Sequence, residues 1–391
     1  MKIKKDKEIV IITNYFPPEK GAASNRIFSL VKGLSENDYN VKVICPLPNY
    51  PKGSIFPEFK RIVYSKKKEE YGTVFRLWLW PSNSSNKFIR LLSMLSFSFS
   101  LTLFFLFKKT PKKIFIQYSP VFVGFTSVFW ASLFRKKIIL NVSDLWPLAG
   151  LEMGLLKKGT YYSLLQKMER YCYMKSHIIL GQSQEILNFI KKEGVVKELV
   201  LYQNFPDFKA PEIESKITES TIKIVYAGLL GVAQGLYSIC EKLNLPDHIQ
   251  LHIYGNGPEA ESIKSLQKTN VFYHGEIDRE ILNKKLEEYQ IAFIPLRNRI
   301  YGSVPSKIFE QSRMGIPLLY FAGGEGEMLV RNYKLGWTIP VNNRDALQDF
   351  INQLTIEKLN EHPKKEVQQN AMNAFNFKNQ FSNLINEIEK I

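Results

Sequence analysis

Short runs rich in Ile and Val alternate along the chain with longer stretches of helical character. EIVIIT (8–13), VKVICP (41–46), KIFIQY (113–118), KIILNV (137–142) and HIILGQ (177–182) are mostly apolar on both faces, as strands buried in a parallel sheet are. Helix-like stretches lie between most of them, such as 25–35 after Ser24 and 183–193 after Gln182. This alternation predicts a doubly wound α/β sheet. It then restarts with IKIVYAG (222–228), IQLHIYG (249–255), VFYHG (271–275), IAFIPL (291–296) and PLLYFA (317–322). Between the two series, NFPDFKAPEIESKITEST (204–221) is mostly polar and proline-bearing, which suits a linker. Domains are therefore expected at 1–205 and 206–363, with a polar terminal helix at 364–391.

Residues 91–107, LLSMLSFSFSLTLFFLF, carry no charge and are flanked by Arg90 and by Lys108 and Lys109. As a helix this run would be about 26 Å long, short of a hydrocarbon core of about 30 Å. A full crossing would also separate KIFIQY from EIVIIT, which should share a sheet. Two readings remain: a core helix with an apolar outer face, or a helix lying in the plane of a membrane surface.

Charge favours the second. Residues 1–205 hold 32 Lys and Arg against 14 Asp and Glu, whereas residues 206–391 hold 21 against 23. No acidic residue falls between Glu70 and Asp144, a stretch with ten Lys and Arg. Such a one-sided field suits an anionic partner: a lipid surface, a phosphate-bearing substrate or nucleic acid. The scattered cysteines Cys45, Cys172 and Cys240 make no CxxC pair, which points to a reducing cytoplasm without a disulfide framework. The start, MKIKKDKEIVIIT, lacks the long apolar region of a secretion signal. His177, His248, His252, His274 and His362 show no metal-ligand spacing, so no metal site is expected.

Candidate chemistry follows the strands. In NYFPPEKGAASNR (14–26), the small residues Gly21, Ala22 and Ala23 precede a helix expected near Ser24. That pattern fits either a phosphate at a helix N-terminus or an ordinary capped turn. In IKIVYAGLLGVAQGL, Gly228 and Gly231 lie between a strand and a helix, and LHIYGNGPE adds Gly255 and Gly257. These glycines suit phosphate binding or simply the end of a strand. The richest segment is RNRIYGSVPSKIFEQSRMGIPLL (297–319). VPSK should open a helix with Pro305 in its first turn. Ser306 and Lys307 then lie at its start, where Lys307 can reach a diphosphate. Glu310, one turn on, can accept hydrogen bonds from a ribose diol or form an exposed ion pair with Lys307. Glu325 and Glu327 follow the PLLYFA strand in a loop suited to lining a ligand pocket.

In their order, YFPPEKGAASNR, PNYPKG, NVSDLWP, GLLGVAQGL and VPSKIFEQSRMGIP resemble glycosyltransferase family 4 over about residues 8–340. The likeness is greatest to the bacterial branch that adds L-fucosamine-type sugars to lipid-linked glycans of capsule and O-antigen. It implies a GT-B fold, with two Rossmann-like domains facing each other across a cleft. It also implies a nucleotide-sugar donor, retention of anomeric configuration and no metal requirement. By this resemblance Gly21 and Ala22 face the donor phosphates, Lys307 contacts the diphosphate and Glu310 holds the ribose. Gly228, Gly231 and Gln234 shape the donor loop, and Asp144 faces the cleft from the first domain. Two departures stand out. Gly302 occupies the position of a usual Glu, and Leu229 and Gln234 stand where relatives carry Arg and Lys. Arg297, Arg299 and Lys307 are left to balance the diphosphate.

The expected activity is transfer of a sugar, UDP-linked in the first instance, to a polyprenyl-diphosphate-linked glycan, without cofactor. It would take place on the cytoplasmic face of an anionic membrane and involve no nucleic acid. Lys307 would stabilise the leaving phosphate electrostatically, and Asp144 would orient acceptor or sugar. A sugar-nucleotide 2-epimerase of the same fold and a basic membrane- or RNA-binding module are the alternatives.

Overall fold

The computed structural model describes residues 7–50, 52–82, 84, 86–213 and 221–391. They form two compact units. One comprises the chain up to Asn204 together with Lys378–Ile391, and the other comprises Phe205–Phe377. Residues 214–220 of the expected linker lie outside the described residues, as does Pro51 of PNYPKG.

The first unit is built on an eight-stranded sheet. Its strands are β1 (Glu8–Ile12), β2 (Asn40–Pro46), β3 (Tyr64–Glu69), β4 (Gly72–Leu77), β5 (Lys113–Gln117), β6 (Lys137–Val142), β7 (Ile178–Gly181) and β8 (Glu198–Leu201). The spatial order is β3-β4-β2-β1-β5-β6-β7-β8. All neighbours run parallel except β3 and β4. The central strands are buried on both faces by helices, so they read as unbroken apolar runs. The edge hairpin β3–β4 was not expected. Its outer strand, YSKKKE, is exposed and charged, which blunts a free sheet edge and hides the strand from a hydrophobicity pattern.

The expected helix at 25–35 spans Ala22–Glu36, starting before Ser24 because Gly21, at φ 137°, turns the chain into it. The expected single helix at 364–391 is two helices in different units, Lys364–Ala374 in the second and Phe377–Glu389 mainly in the first. The later helix packs against Gly33, where an added Cβ would lie 2.6 Å from Cζ of Phe381. Buried Lys113 closes it by donating from Nζ to the Ile388 carbonyl at 2.8 Å. A cation there satisfies a carbonyl left free at a helix C-terminus.

The apolar run belongs to a helix of 21 residues, Lys87–Phe107, capped by Asn86. Phe97, Leu101, Phe104 and Phe105 form its buried stripe, while Phe88, Leu92, Leu95, Phe99, Leu103 and Leu106 are exposed. Both sets follow helical spacing, so the helix has one apolar face in the core and another in solvent. Beside it, the helix Val121–Leu133 exposes Phe129 and Leu133. Trp130 Nε1 ties the two together through Thr102 Oγ1 at 3.0 Å.

The second unit carries a fully parallel sheet of β9 (Ile222–Ala227), β10 (Ile249–Tyr254), β11 (Val271–Gly275), β12 (Ile291–Pro295), β13 (Leu318–Phe321) and β14 (Gly336–Ile339). Its order is β11-β10-β9-β12-β13-β14. Apolar clusters pack on both faces. The chain is thus α/β with two parallel-sheet units, as the alternation of the sequence predicts.

Candidate functional site

Ligands of open parallel sheets bind beyond the carboxyl ends of the strands, and the candidate residues of the second unit gather there. Lys307 is the first residue of the short helix Lys307–Arg313, and Ser306 precedes it without a side-chain capping bond. The ammonium of Lys307 sits 3.8 Å from the centroid of the Tyr226 ring, which rises from β9. This is a close cation–π contact. Among the described residues Lys307 Nζ has no hydrogen-bond acceptor. Burial pulls its pKa down to about 7, against the opposing pull of Glu310. Glu310 pairs with Arg279 at 3.8 Å, so the ion pair with Lys307 allowed by the sequence is not formed. Burial raises the Glu310 carboxyl, and Arg279 and Lys307 hold it back.

Gly228 makes this arrangement possible. A Cβ there would lie 2.5 Å from both Cε and Nζ of Lys307. Gly255 and Gly257 serve a different end. A Cβ on Gly255 would overlap the Gly228 carbonyl, and one on Gly257 would meet the Leu230 carbonyl at 2.5 Å. With the bonds Gly228 N→Tyr254 O at 2.9 Å and Leu230 N→Asn256 O at 3.0 Å, they let two loops stack backbone on backbone. The Gly228–Gly235 loop also receives Arg297, whose N–H donates to the Ala233 carbonyl at 2.8 Å. Gln234 Oε1 is buried there without a hydrogen-bond partner among the described residues, and an added Cβ on Gly231 would approach it to 2.7 Å. The Arg297 side chain is exposed. Arg299 lies over the Tyr301 ring at 5.7 Å. Glu327 is in the first turn of the helix Glu325–Asn332, in an ion pair with Arg331 at 2.7 Å.

In the first unit, Gly21 is exposed with open space at its Cβ direction. Ala22 opens the following helix, and its side chain lies outside the described ones. One turn on, Arg26 lies at the centre of a polar cluster that the motif reading did not single out. Its guanidinium donates to Gln182 Oε1 at 2.5 Å, Ser143 Oγ at 2.6 Å and Gln117 Oε1 at 3.3 Å. Asn141 Nδ2 donates to Gln117 Oε1 at 2.6 Å, and Gln117 Nε2 to Ser143 Oγ at 2.7 Å. The visible signal was a polar residue at or just after the end of otherwise apolar strands, in KIFIQY, KIILNV and HIILGQ. Asp144 neighbours this cluster. Burial raises its carboxyl and the charge of Arg26 lowers it.

A second feature of the first unit is a cavity of about 170 Å³ at the carboxyl ends of β1 and β2, lined by Asn14, Tyr15, Asn49, Tyr50 and Arg90 among others. Glu19 is buried and accepts from the backbone N–H groups of Asn49 and Tyr50, both at 2.8 Å.

Two parallel-sheet units, with the candidate residues beyond the strand ends, are those of the GT-B fold. Residues 222–356 match the family described as Glycosyl transferases group 1, and with the fold this match supports a glycosyltransferase. Sucrose-phosphate synthase from Thermosynechococcus elongatus is similar in structure, with 12% identity, 97% of this chain and 98% of that one covered, and a TM-score of 0.69. HepE from Anabaena, solved with UDP and glucose, gives 13% identity, 98% and 100% coverage and a TM-score of 0.66. The lipopolysaccharide outer core galactosyltransferase WaaB gives 16% identity, 97% and 99% coverage and a TM-score of 0.60. No curated protein sequence shows significant similarity to the chain.

Proposed function

We propose that the protein is a retaining glycosyltransferase that moves a sugar from a UDP-linked donor to a lipid-linked glycan in surface-polysaccharide synthesis, working on the cytoplasmic face of the membrane. The observation that carries this reading is Lys307: a desolvated ammonium on an aromatic face, with no acceptor for its three N–H donors among the described residues. A cation in that state is short of an anion, and a nucleoside diphosphate supplies one. Two solved neighbours, one a complex with UDP and glucose and the other a galactosyltransferase, support a sugar nucleotide as donor. In the reaction an acceptor hydroxyl oxygen forms a bond to the anomeric carbon, on the face the leaving group departs. The bond from that carbon to the diphosphate breaks, and its electron pair leaves with UDP. A leaving-phosphate oxygen takes the hydroxyl proton. Negative charge grows on the diphosphate as the bond breaks, and Lys307 stabilises it there. Glu310 holds the ribose, and Asp144 orients acceptor or sugar. No metal or other cofactor takes part.

The membrane role rests on the exposed apolar face of Lys87–Phe107, with Lys108, Lys109 and Lys112 following it in sequence and Arg135 following the neighbouring helix Val121–Leu133. The test is incubation with labelled UDP- and GDP-sugars and lipid extracts as acceptors, with and without excess EDTA. Transfer from a UDP-sugar to lipid that survives EDTA is the expected result. Conversion of a sugar nucleotide without any acceptor would make the protein an epimerase, and loss of transfer restored by magnesium or manganese would overturn the metal-free reaction.

A further inference from the structure

Glu310 is unlike Glu19 and Glu327 in what its oxygens touch. Glu19 accepts from two backbone N–H groups at 2.8 Å, and Glu327 meets Arg331 at 2.7 Å. The carboxylate of Glu310 accepts no hydrogen bond among the described residues. Its ion-pair partner, Arg279, stands off at 3.8 Å. At that distance a guanidinium acts by charge and takes up no lone pair. Both oxygens therefore stay open to a pair of hydroxyls. Burial pushes the carboxyl toward its neutral form, and Arg279 opposes this more strongly than Lys307 does. The distinction matters for a diol, because a carboxylate accepts on both oxygens whereas a neutral carboxyl turns one of them into a donor.

The place of Arg279 in its own helix points the same way. The helix Arg279–Leu286 begins just past the carboxyl end of β11, on the side of a parallel sheet where ligands bind. Its other charges suit the helix dipole: Asp278 caps it, Glu280 is in the first turn, and Lys284 and Lys285 are in the last. Arg279, a cation at the first helical position, opposes that dipole. The helix gains nothing from it there, and the carboxylate that it faces lies on a different helix.

We infer that Arg279 is a positioning residue for donor recognition, acting through Glu310 by fixing a carboxylate whose two oxygens are both left for the ribose hydroxyls. The inference rests on the reading of the protein as a UDP-sugar transferase with Glu310 on the ribose. It adds to that reading a residue from outside the motif that carries Lys307 and Glu310.

The experiment is calorimetric binding of UDP and of 2′-deoxy-UDP to the full chain. Wild-type protein should prefer UDP about tenfold or more, the range of one hydrogen bond to a charged acceptor. Arg279→Met should shrink that preference about threefold or more, as the acceptor becomes neutral or misplaced. Arg279→Lys should restore part of it. In Glu310→Gln protein, Arg279→Met should leave UDP affinity nearly unchanged, because the group it acts through is gone. Should Arg279→Met not fold, Arg279→Lys in the two Glu310 backgrounds makes the same comparison. The assignment fails if a folded Arg279 variant keeps the wild-type preference. It also fails if that variant weakens both nucleotides by one factor, which would put the guanidinium on the diphosphate or base itself, or if the losses at Arg279 and Glu310 multiply in the double variant. Wild-type protein that does not bind UDP overturns the donor reading instead, and wild-type protein that binds both nucleotides equally overturns the ribose role of Glu310, so these failures are distinguishable from one confined to Arg279.

Discussion

Arg26 and Lys307 both stand near the carboxyl end of a parallel sheet, both are taken largely out of water, and burial lowers the pKa of each. Their surroundings are opposite. Arg26 gives hydrogen bonds to three side chains, two of which, Gln117 and Ser143, are linked to each other, whereas Lys307 rests on one ring and gives none among the described residues. A buried cation whose donors are used holds its neighbours in place. A buried cation whose donors are unused carries a desolvation cost that only an incoming anion offsets. The first is therefore a piece of scaffold and the second a binding group, although both are basic residues within motifs.

The largest effect expected from this contrast is on catalysis. Lys307→Met keeps the length of the side chain and its packing on Tyr226 but removes the charge. Transfer should fall by about 10²–10³, the usual cost of losing one group that stabilises charge in the transition state. Thermal unfolding should be unchanged or shifted upward, because a desolvated charge without a hydrogen-bond acceptor among the described residues has been removed. The lowered Lys307 pKa sets the sign of the pH dependence. The unfolded chain binds the proton more tightly between about pH 7 and the ordinary lysine range, so the native state bears the full cost below pH 7 and sheds it as pH rises. Any gain in melting temperature should therefore be greatest at or below pH 7. A variant with normal kcat and a lowered melting temperature would place Lys307 with the scaffold.

Arg26→Met should behave in the reverse manner. It strands the acceptor on Gln182 that the guanidinium now satisfies, while Gln117 Oε1 keeps its bond from Asn141, and a buried group left unpaired costs about 1–3 kcal/mol. Calorimetry should show a clear drop in melting temperature, with UDP affinity near that of the wild type in the protein that remains folded. Lost UDP binding at unchanged stability would put Arg26 among the binding groups and erase the contrast.

Titration sharpens the same point on a smaller scale. With a pKa of about 7 in the free protein, Lys307 is protonated below neutrality and increasingly neutral above it. A bound diphosphate favours the charged form, so binding draws a proton from solution once the pH exceeds 7. UDP affinity should fall above pH 7 by up to about tenfold per unit until the pKa of the complex is reached. Calorimetry in buffers of different ionisation enthalpy should register the proton uptake, and Lys307→Met should abolish it. Arg26 makes no such contribution.

Much of this was visible in the sequence, for reasons that also explain what was not. Doubly buried strands have to be apolar throughout, so IVII and IILNV announced themselves. YSKKKE, at a sheet edge, and the short ELVL and GWTI carry no such constraint and went unseen as β3, β8 and β14. Lys307 and Glu310 were legible because they lie one turn apart on one helix. Tyr226 and Arg279, which set the state of those two groups, come from a strand and a helix distant in the chain, and no local pattern links them. Arg26 was within the quoted motif, but its role depends on Gln117, Ser143 and Gln182, which only the parallel order of β1, β5, β6 and β7 brings together. The apolar helix left two readings open because composition cannot separate an inward face from an outward one, and the exposure of Phe88, Phe99 and Leu106 does.

The smallest expected effect concerns a third kind of cation. Lys108 and Lys109 are exposed at the end of the apolar helix, with neither the bonded surroundings of Arg26 nor the dry ones of Lys307. Such charges act only over the distance that salt allows, which is about 8 Å at physiological ionic strength. Beside an anionic bilayer each is worth about 1 kcal/mol, or roughly fivefold in affinity. Lys109→Gln should thus weaken binding to vesicles containing phosphatidylglycerol about fivefold in co-sedimentation at low salt. The difference should shrink as salt is raised, and it should vanish with purely zwitterionic vesicles. Phe99→Ser and Leu106→Ser, which remove outward-facing apolar area without touching the core stripe, should weaken binding to both kinds of vesicle and do so at every salt concentration. The two behaviours separate attraction from insertion. If the wild-type protein, folded and at low salt, stays in the supernatant with anionic vesicles, the exposed face has no affinity for a bilayer and the membrane part of the proposed function is wrong.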